Sequence, residues 1–402
     1  MNSKFKLHLN HLLIVVLMLI FIVSCSKDDE TTPGKIETSL TGKAQKGPFL
    51  NGSSISIYEL DKKFSPTGIN FNTQITDNSG LFQINDIKLA SNYVTLRVDG
   101  FYFNEVCGEL SGSQITLNGI ADISQSDFKN LNVITHLEKA RVEFLLSEGM
   151  SFTSAKSQAQ QEVLNIFNVS DDIENSEELD ISGNSDGDAI LIAISSILQG
   201  YRSESEFSLL LANIITDIKT DGSLDNESIG ADLVSHAQLL NAERISNNIE
   251  SRYSDLGIDI TVPDFEPIVN NFLQETTFPS NESLINYPED GSSGSNVLNL
   301  ALTEIQSKTF YSLAATLPNE CLSLRVKITK ISGLCDFCIG HQPTKVQNWW
   351  IQKYDSDTHS QSFSTSGKLS DLPIIIEKGV FLVEYFEGDT SIPTRTKTIN
   401  SI

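Results

Sequence analysis

Ser54-Ile55-Ser56-Ile57-Tyr58-Glu59-Leu60 alternates apolar and polar side chains, the two-residue period of a half-buried strand. Asp77-Asn78-Ser79-Gly80 is a turn cluster, and Leu81-Phe82-Gln83-Ile84 restarts the pairing. With further strands expected at 93–98 and 114–117, residues 35–125 read as a β domain. From Asn132 the period lengthens. Ile134, Leu137, Phe144 and Leu145 share one helical stripe, and Thr135-x-x-Glu138 predicts a capping box. Ala155, Ala159, Val163 and Phe167 predict a helix over 152–167, and 188–199 is apolar almost all round, as a central buried helix would be. Ser203-x-x-Glu206 is expected to cap a helix over 207–219. One helix is predicted over 226–253 and another over 265–274, making residues 130–276 an all-helical domain.

Residues 277–296 hold Pro279, Pro288 and a Gly-Ser-Ser-Gly-Ser run, the composition of a flexible linker. Beyond it Leu324, Val326 and Ile328 alternate with Arg325, Lys327 and Thr329. Similar runs at 349–354, 360–366, 372–377 and 380–386, with a turn at Gly388-Asp389, predict a β-sandwich over 297–402. The expected fold class is therefore multidomain α+β: an N-terminal β-sandwich, an all-α middle domain and a C-terminal β-sandwich.

The 402 residues carry a net charge of -24, with 39% hydrophobic side chains and five cysteines. A phosphate backbone needs a basic face, so nucleic acid is excluded as a partner. The charge is unevenly placed. Residues 132–276 hold 26 acids against 7 bases, net -19. Those acids are expected mostly on solvated faces, keeping the chain soluble and disfavouring anionic surfaces.

At the N-terminus, Lys4 and Lys6 precede an unbroken apolar run of 12 residues, Leu12 to Val23. Twelve are too few to span a bilayer and suit a signal h-region. The run ends at Ile22-Val23-Ser24-Cys25, which resembles the lipobox of bacterial lipoproteins. The resemblance implies a signal peptide over 1–24, lipidation of Cys25 and an acidic tether over 25–34. Ser26-Lys27-Asp28-Asp29-Glu30 resembles the tag that sends Bacteroidota-type lipoproteins to the cell surface. Outer membrane is the expected location, with the membrane met through the lipid. Gly42-Lys43-Ala44, Gly52 and Thr76-Asp77-Asn78-Ser79-Gly80-Leu81-Phe82 resemble carboxypeptidase regulatory-like domains. That resemblance implies a prealbumin-like β-sandwich with no catalytic residue. The ending from Glu384 to Gly388, then Pro393 to Thr398, resembles C-terminal domains of uncharacterised surface lipoproteins, which implies no activity.

Cys321, Cys335, Cys338 and His341 have a spacing that suits tetrahedral zinc. An oxidising compartment favours instead a disulfide from Cys321 to Cys335 or Cys338, with Cys107 left as a buried thiol. Asp180, Asn184, Asp186 and Asp188 alternate oxygen-bearing side chains as calcium loops do, yet position 6 is Ser185 and position 12 is Leu191. Capping of the apolar helix by Asp186 or Asp188 accounts for the same acids. Asp217, Asp221, Asp225 and Glu227 form a similar acidic turn. No cofactor is expected, calcium being the one candidate. Trp349 and Trp350, consecutive on a strand, point to opposite faces, so one is core and the other is free to stack on a ligand or lie under a loop. His136 and His236 read as structural. The sequence has no Gly-x-Ser-x-Gly, His-Glu-x-x-His, P-loop or dinucleotide fingerprint. A non-catalytic binder of glycan or protein is expected, against a metal-dependent enzyme sited in the helical domain or a purely structural envelope protein.

Overall fold

A computed structural model describes residues 36–171, 173–280 and 284, then 303–305, 308–316, 321–333, 344–346, 349–351, 355, 360–365, 369–376, 379–387 and 391–401. Among these the chain is mixed α+β, with seven helices and several antiparallel sheets.

The N-terminal strands are β1 (Ile36–Lys43), β2 (Ser54–Leu60), β3 (Pro66–Gln74), β4 (Leu81–Leu89), β5 (Tyr93–Gly100), β6 (Phe103–Asn104), β7 (Glu109–Leu110) and β8 (Ile115–Asp122). One sheet runs β3-β2-β5-β8, a second pairs β1 with β4, and β6 pairs β7. The alternation read in β2 sets the register. Ile55 lies beside Val98 and Ile57 beside Leu96, while Val98 meets Leu117, so one face is an apolar layer. The Asp77 turn has a physical basis. Asp77 Oδ1 accepts from the Ser79 N–H at 2.9 Å and the Ser79 hydroxyl at 2.8 Å. Gly80 follows at φ +83°, where an added Cβ would sit 2.5 Å from the Ala44 carbonyl oxygen, and Phe82 is buried.

The helices are α1 (Val133–Ser147), α2 (Phe152–Ile166), α3 (Asp186–Gln199), α4 (Glu204–Ile218), α5 (Glu227–Ala237), α6 (Ala242–Asp255) and α7 (Glu266–Glu275). As expected, α3 is buried along nearly its whole length, and Ser203 with Glu206 forms the capping box of α4. Three local expectations need correction. The cap of α1 is Asn132 reciprocated by Thr135, one turn earlier than the predicted pair, because Asn132 Oδ1 accepts from the N–H groups of Ile134 and Thr135. Ser185, with Asp188 as its reciprocal partner, caps α3 in place of either aspartate alone. The single helix predicted over 226–253 is two helices. Leu239 and Leu240 donate to carbonyls only three residues back, which tightens and ends α5, and Asn241 Oδ1 accepts from the Arg244 N–H at 2.8 Å to start α6.

The β strands and helices share one apolar core, from Ile57 and Leu96 through Leu131 and Ile134 to Ile192, Ile197 and Phe207. Backbone bridges Thr41 to Phe128 and Ala44 to Leu131 stitch β1 to the segment entering α1.

The C-terminal strands are β9 (Thr303–Ile305), β10 (Lys308–Thr316), β11 (Leu324–Gly333), β12 (Thr344–Val346), β13 (Trp349–Ile351), β14 (Ser360–Thr365), β15 (Leu369–Ile376), β16 (Gly379–Glu387) and β17 (Arg395–Ser401). They form two antiparallel sheets, β15-β10-β9 and β12-β13-β14-β11-β16-β17. Leu324, Val326 and Ile328 of β11 are buried, as their alternation predicts.

Candidate functional site

The acidic loop before α3 ties β1 to the helices. Asp180 Oδ2 accepts from Lys43 Nζ at 2.6 Å, and its Oδ1 accepts from Gln45 Nε2 at 2.7 Å and from the backbone N–H and hydroxyl of Ser182. Asp188 Oδ1 and Oδ2 accept from the N–H groups of Asp180 and Ser185. Burial alone would raise the pKa of Asp180, but Lys43 and the donors around it hold it below its usual value. Asn184 and Asp186 lie instead on a shallow recess with Glu174. The four residues nominated as calcium ligands therefore divide between an internal brace and a surface recess. In the second acidic turn, Asp217 Oδ2 accepts from the N–H groups of Asp225 and Asn226. Among the described residues, no group of three or more His, Cys, Asp or Glu side chains is arranged to hold a metal ion.

Cys107, expected as an unpartnered thiol, forms a disulfide with Cys321, with Cα atoms 5.4 Å apart. The bridge from Cys321 to Cys335 or Cys338 is thereby displaced. The reason is tertiary: the β6–β7 hairpin carries Cys107 to the start of β11 although 214 residues separate the two in sequence. Cys25, Cys335, Cys338, His341 and Gly388-Asp389 lie outside the described residues. Trp349 and Trp350 lie on β13, opposite Val346 and Lys345 of β12.

Several ionic groups are enclosed. Lys46 and Glu105 are both fully buried and ion-paired. Glu105 also accepts from the Ser195 hydroxyl at 2.8 Å, and the ammonium lies 5.6 Å from the Tyr102 ring centre and 5.4 Å from that of Phe207. Burial lowers the Lys46 pKa, against the attraction of Glu105. A second cluster joins Lys156 to Glu138, and to Glu177 at 2.7 Å, while Lys129 stands 3.6 Å from Glu177. Burial raises the pKa of Glu138, whose Oε2 has no hydrogen-bond partner. The expectation that the helical acids lie on solvated faces thus fails at Glu138, Glu177 and Asp188, whose carboxylates fasten elements together. Arg141 clamps Glu162 with two bonds of 2.7 and 2.9 Å and reaches the Thr220 carbonyl at 2.6 Å.

A cleft of about 510 Å³ lies between α4 and α5. Asp232 stands on its wall between Arg202, which donates to it at 2.8 Å, and His236, whose Nε2 is 3.6 Å from Asp232 Oδ1. Asp232 is thus an acidic neighbour of His236, one helical turn earlier. Arg202 also donates to the carbonyls of Ile197 and Leu198, closing the C-terminal end of α3. His236 Nδ1 accepts from the Tyr201 N–H at 2.9 Å, and burial, aided by Arg202, lowers its pKa to about 2. His136 similarly accepts from the Asn118 N–H at 3.0 Å, and burial, then Lys139, lowers its pKa to about 4. Both imidazoles act as neutral acceptors that hold backbone in place. The cleft offers two carboxylates, half-exposed Asp232 and exposed Glu206, and an apolar wall that includes exposed Leu209, a surface suited to holding a ligand by hydrogen bonds and contact. Neither the family models, the curated proteins nor the solved structures with which the chain was compared contain a match.

Proposed function

We propose that the chain is a lipid-anchored, non-catalytic binding protein of the outer membrane, exposed at the cell surface through acylated Cys25. In this reading a prealbumin-like β-sandwich and the acidic helices form a rigid base, and a C-terminal β-sandwich is held beyond the 277–296 linker. Extracellular glycan or protein is the ligand, and Trp349 and Trp350 are contacts offered by the distal module.

The observation that carries the reading is the Cys107–Cys321 disulfide. Disulfides persist in oxidising compartments, which agrees with a chain exported behind a lipobox. The buried ion pairs fit the rigid base of this reading, because the carboxylates of Glu105 and Glu138 fasten elements together. The test is protease shaving of intact cells. Cleavage within 277–296 should leave two fragments that migrate together on a non-reducing gel and separate after reduction, since the disulfide spans the cut. A chain digested only after the cells are broken would refute surface exposure, and fragments that separate without reductant would refute the link.

A further inference from the structure

The outer face of the β3-β2-β5-β8 sheet has an unusual composition. Register places Asn72, Ser56, Arg97 and Asn118 in one row across the four strands. The next row holds Gln74, Ser54, Asp99 and Thr116, and on the other side Asn70, Tyr58 and Thr95 continue the array. The face turns apolar only where helices cover it, at Ile120, which is buried with Val142, Leu145 and Phe152. The remainder is solvent-facing, with Tyr58 39% exposed. It contains no lysine or glutamate. Its single cation is spent within the face: Arg97 clamps Asp99 with bonds of 2.6 and 2.8 Å, and Thr116 donates to the same carboxylate. The Ser56 hydroxyl donates to Asn72 at 2.8 Å, and Asn72 Nδ2 donates to Asn70 at 3.3 Å, so the amides already lie oriented in a line.

We infer that this sheet face is a binding surface for a neutral polysaccharide. Sugar hydroxyls both donate and accept, and so do the side chains of Asn70, Asn72, Gln74 and the serines, in a planar grid set by strand spacing. The Tyr58 ring supplies an exposed aromatic surface on which the C–H face of a pyranose can lie. Charge selects the ligand class. The three polar rows carry one arginine and one aspartate and are neutral on a chain of net charge -24, with Asp122 at the covered end adding a carboxylate, so an anionic polymer meets repulsion without an unpaired cation on the face. The inference rests on the binding reading above, and it moves the first contact from the distal tryptophans to the membrane-proximal sheet.

The test is native affinity electrophoresis of the full chain in gels holding mixed-linkage β-glucan, xyloglucan, galactomannan or amylopectin, with polygalacturonate as the anionic control. Retardation is expected with at least one neutral polymer and not with polygalacturonate. Tyr58→Ala and Asn72→Ala should each weaken it tenfold or more, Tyr58→Phe should retain most of it, and Ser254→Ala on exposed α6 surface should leave it unchanged. All these positions on the sheet are solvent-facing, so an unchanged urea midpoint is the folding control. Retardation that survives both alanine variants would overturn the sheet face and leave the binding reading standing. Absence of retardation in every neutral polymer would overturn the proposal, while the shaving experiment judges the wider reading separately. Concentration-dependent self-association lost in Asn72→Ala would assign the face, which ends at edge strand β3, to a second copy of the chain and also overturn it.

Discussion

Lys46 and Glu105 are 59 positions apart, and both are wholly enclosed. Desolvating such a pair is costly, and the pair persists because each charge has the other, with Ser195 and two aromatic rings completing the shell. Lys46→Met alone should therefore destabilise the fold by about 3–5 kcal/mol, because it strands the Glu105 carboxylate. Lys46→Met with Glu105→Leu should cost less than the single change. Urea unfolding measures both, and additive costs would contradict the pairing. The two buried imidazoles set a pH dependence. With folded pKa values near 4 for His136 and 2 for His236, against 6.5 when unfolded, both groups are neutral in either state above pH 6.5. As pH falls below 6.5 the unfolded chain takes up protons first, so stability is lost between pH 6.5 and 4, by roughly 3 kcal/mol for His136 alone. Urea midpoints at pH 7 and 4.5 test this, and a midpoint that holds or rises on acidification would contradict it. The two histidines read as structural from the sequence, but the Lys46–Glu105 pair was not legible as buried, since a lysine or glutamate carries no local mark of its distant partner.

Elements were most legible where one local pattern decides them. Alternation placed β2 and β11, and an apolar run placed α3, because burial of one face or of the whole surface writes directly into residue order. β3 escaped notice: its Asn-rich outward positions dilute the alternation, and it is a strand because β2 pairs with it. The α5–α6 break escaped for a related reason, as Leu240 continues the apolar stripe across residues whose backbone has already left the helix. Asn132→Ala should cost about 1–2 kcal/mol through loss of the α1 cap, while Glu138→Gln should leave that cap intact, with helix N-terminal amide exchange as the readout. Faster exchange in the Glu138 variant alone would restore the predicted cap. Gly42 tests the contact between β1 and the segment entering α1. An added Cβ there would lie 1.9 Å from the Lys129 carbonyl oxygen, so Gly42→Ala should destabilise by about 3 kcal/mol or more. Gly149→Ala meets no atom within 4 Å, although its φ is +92°, and should cost about 1 kcal/mol. Equal thermal midpoints for the two variants would contradict the close approach.

At the scale of the whole molecule, the composition shifts marked a β region, an acidic helical region and a β region. The shared core and the covalent link did not show, because contacts such as Ile57 to the helical layer and Cys107 to Cys321 join distant parts of the chain. The same distance hid the polar sheet face, which exists only once four strands are in register. Closing a loop of 214 residues should stabilise the folded chain by roughly 5 kcal/mol in the chain-entropy picture. Cys107→Ser should accordingly lower the thermal midpoint under oxidising conditions and leave it unchanged in dithiothreitol, and equal sensitivity in both would contradict the bridge. Export and anchoring underlie everything proposed for function. The most direct measurement is mass spectrometry of the N-terminal peptide of the chain recovered from the membrane fraction. The account predicts that it begins at Cys25 and carries acyl chains on that residue. An unmodified N-terminus, or a chain released freely into the medium, would contradict it.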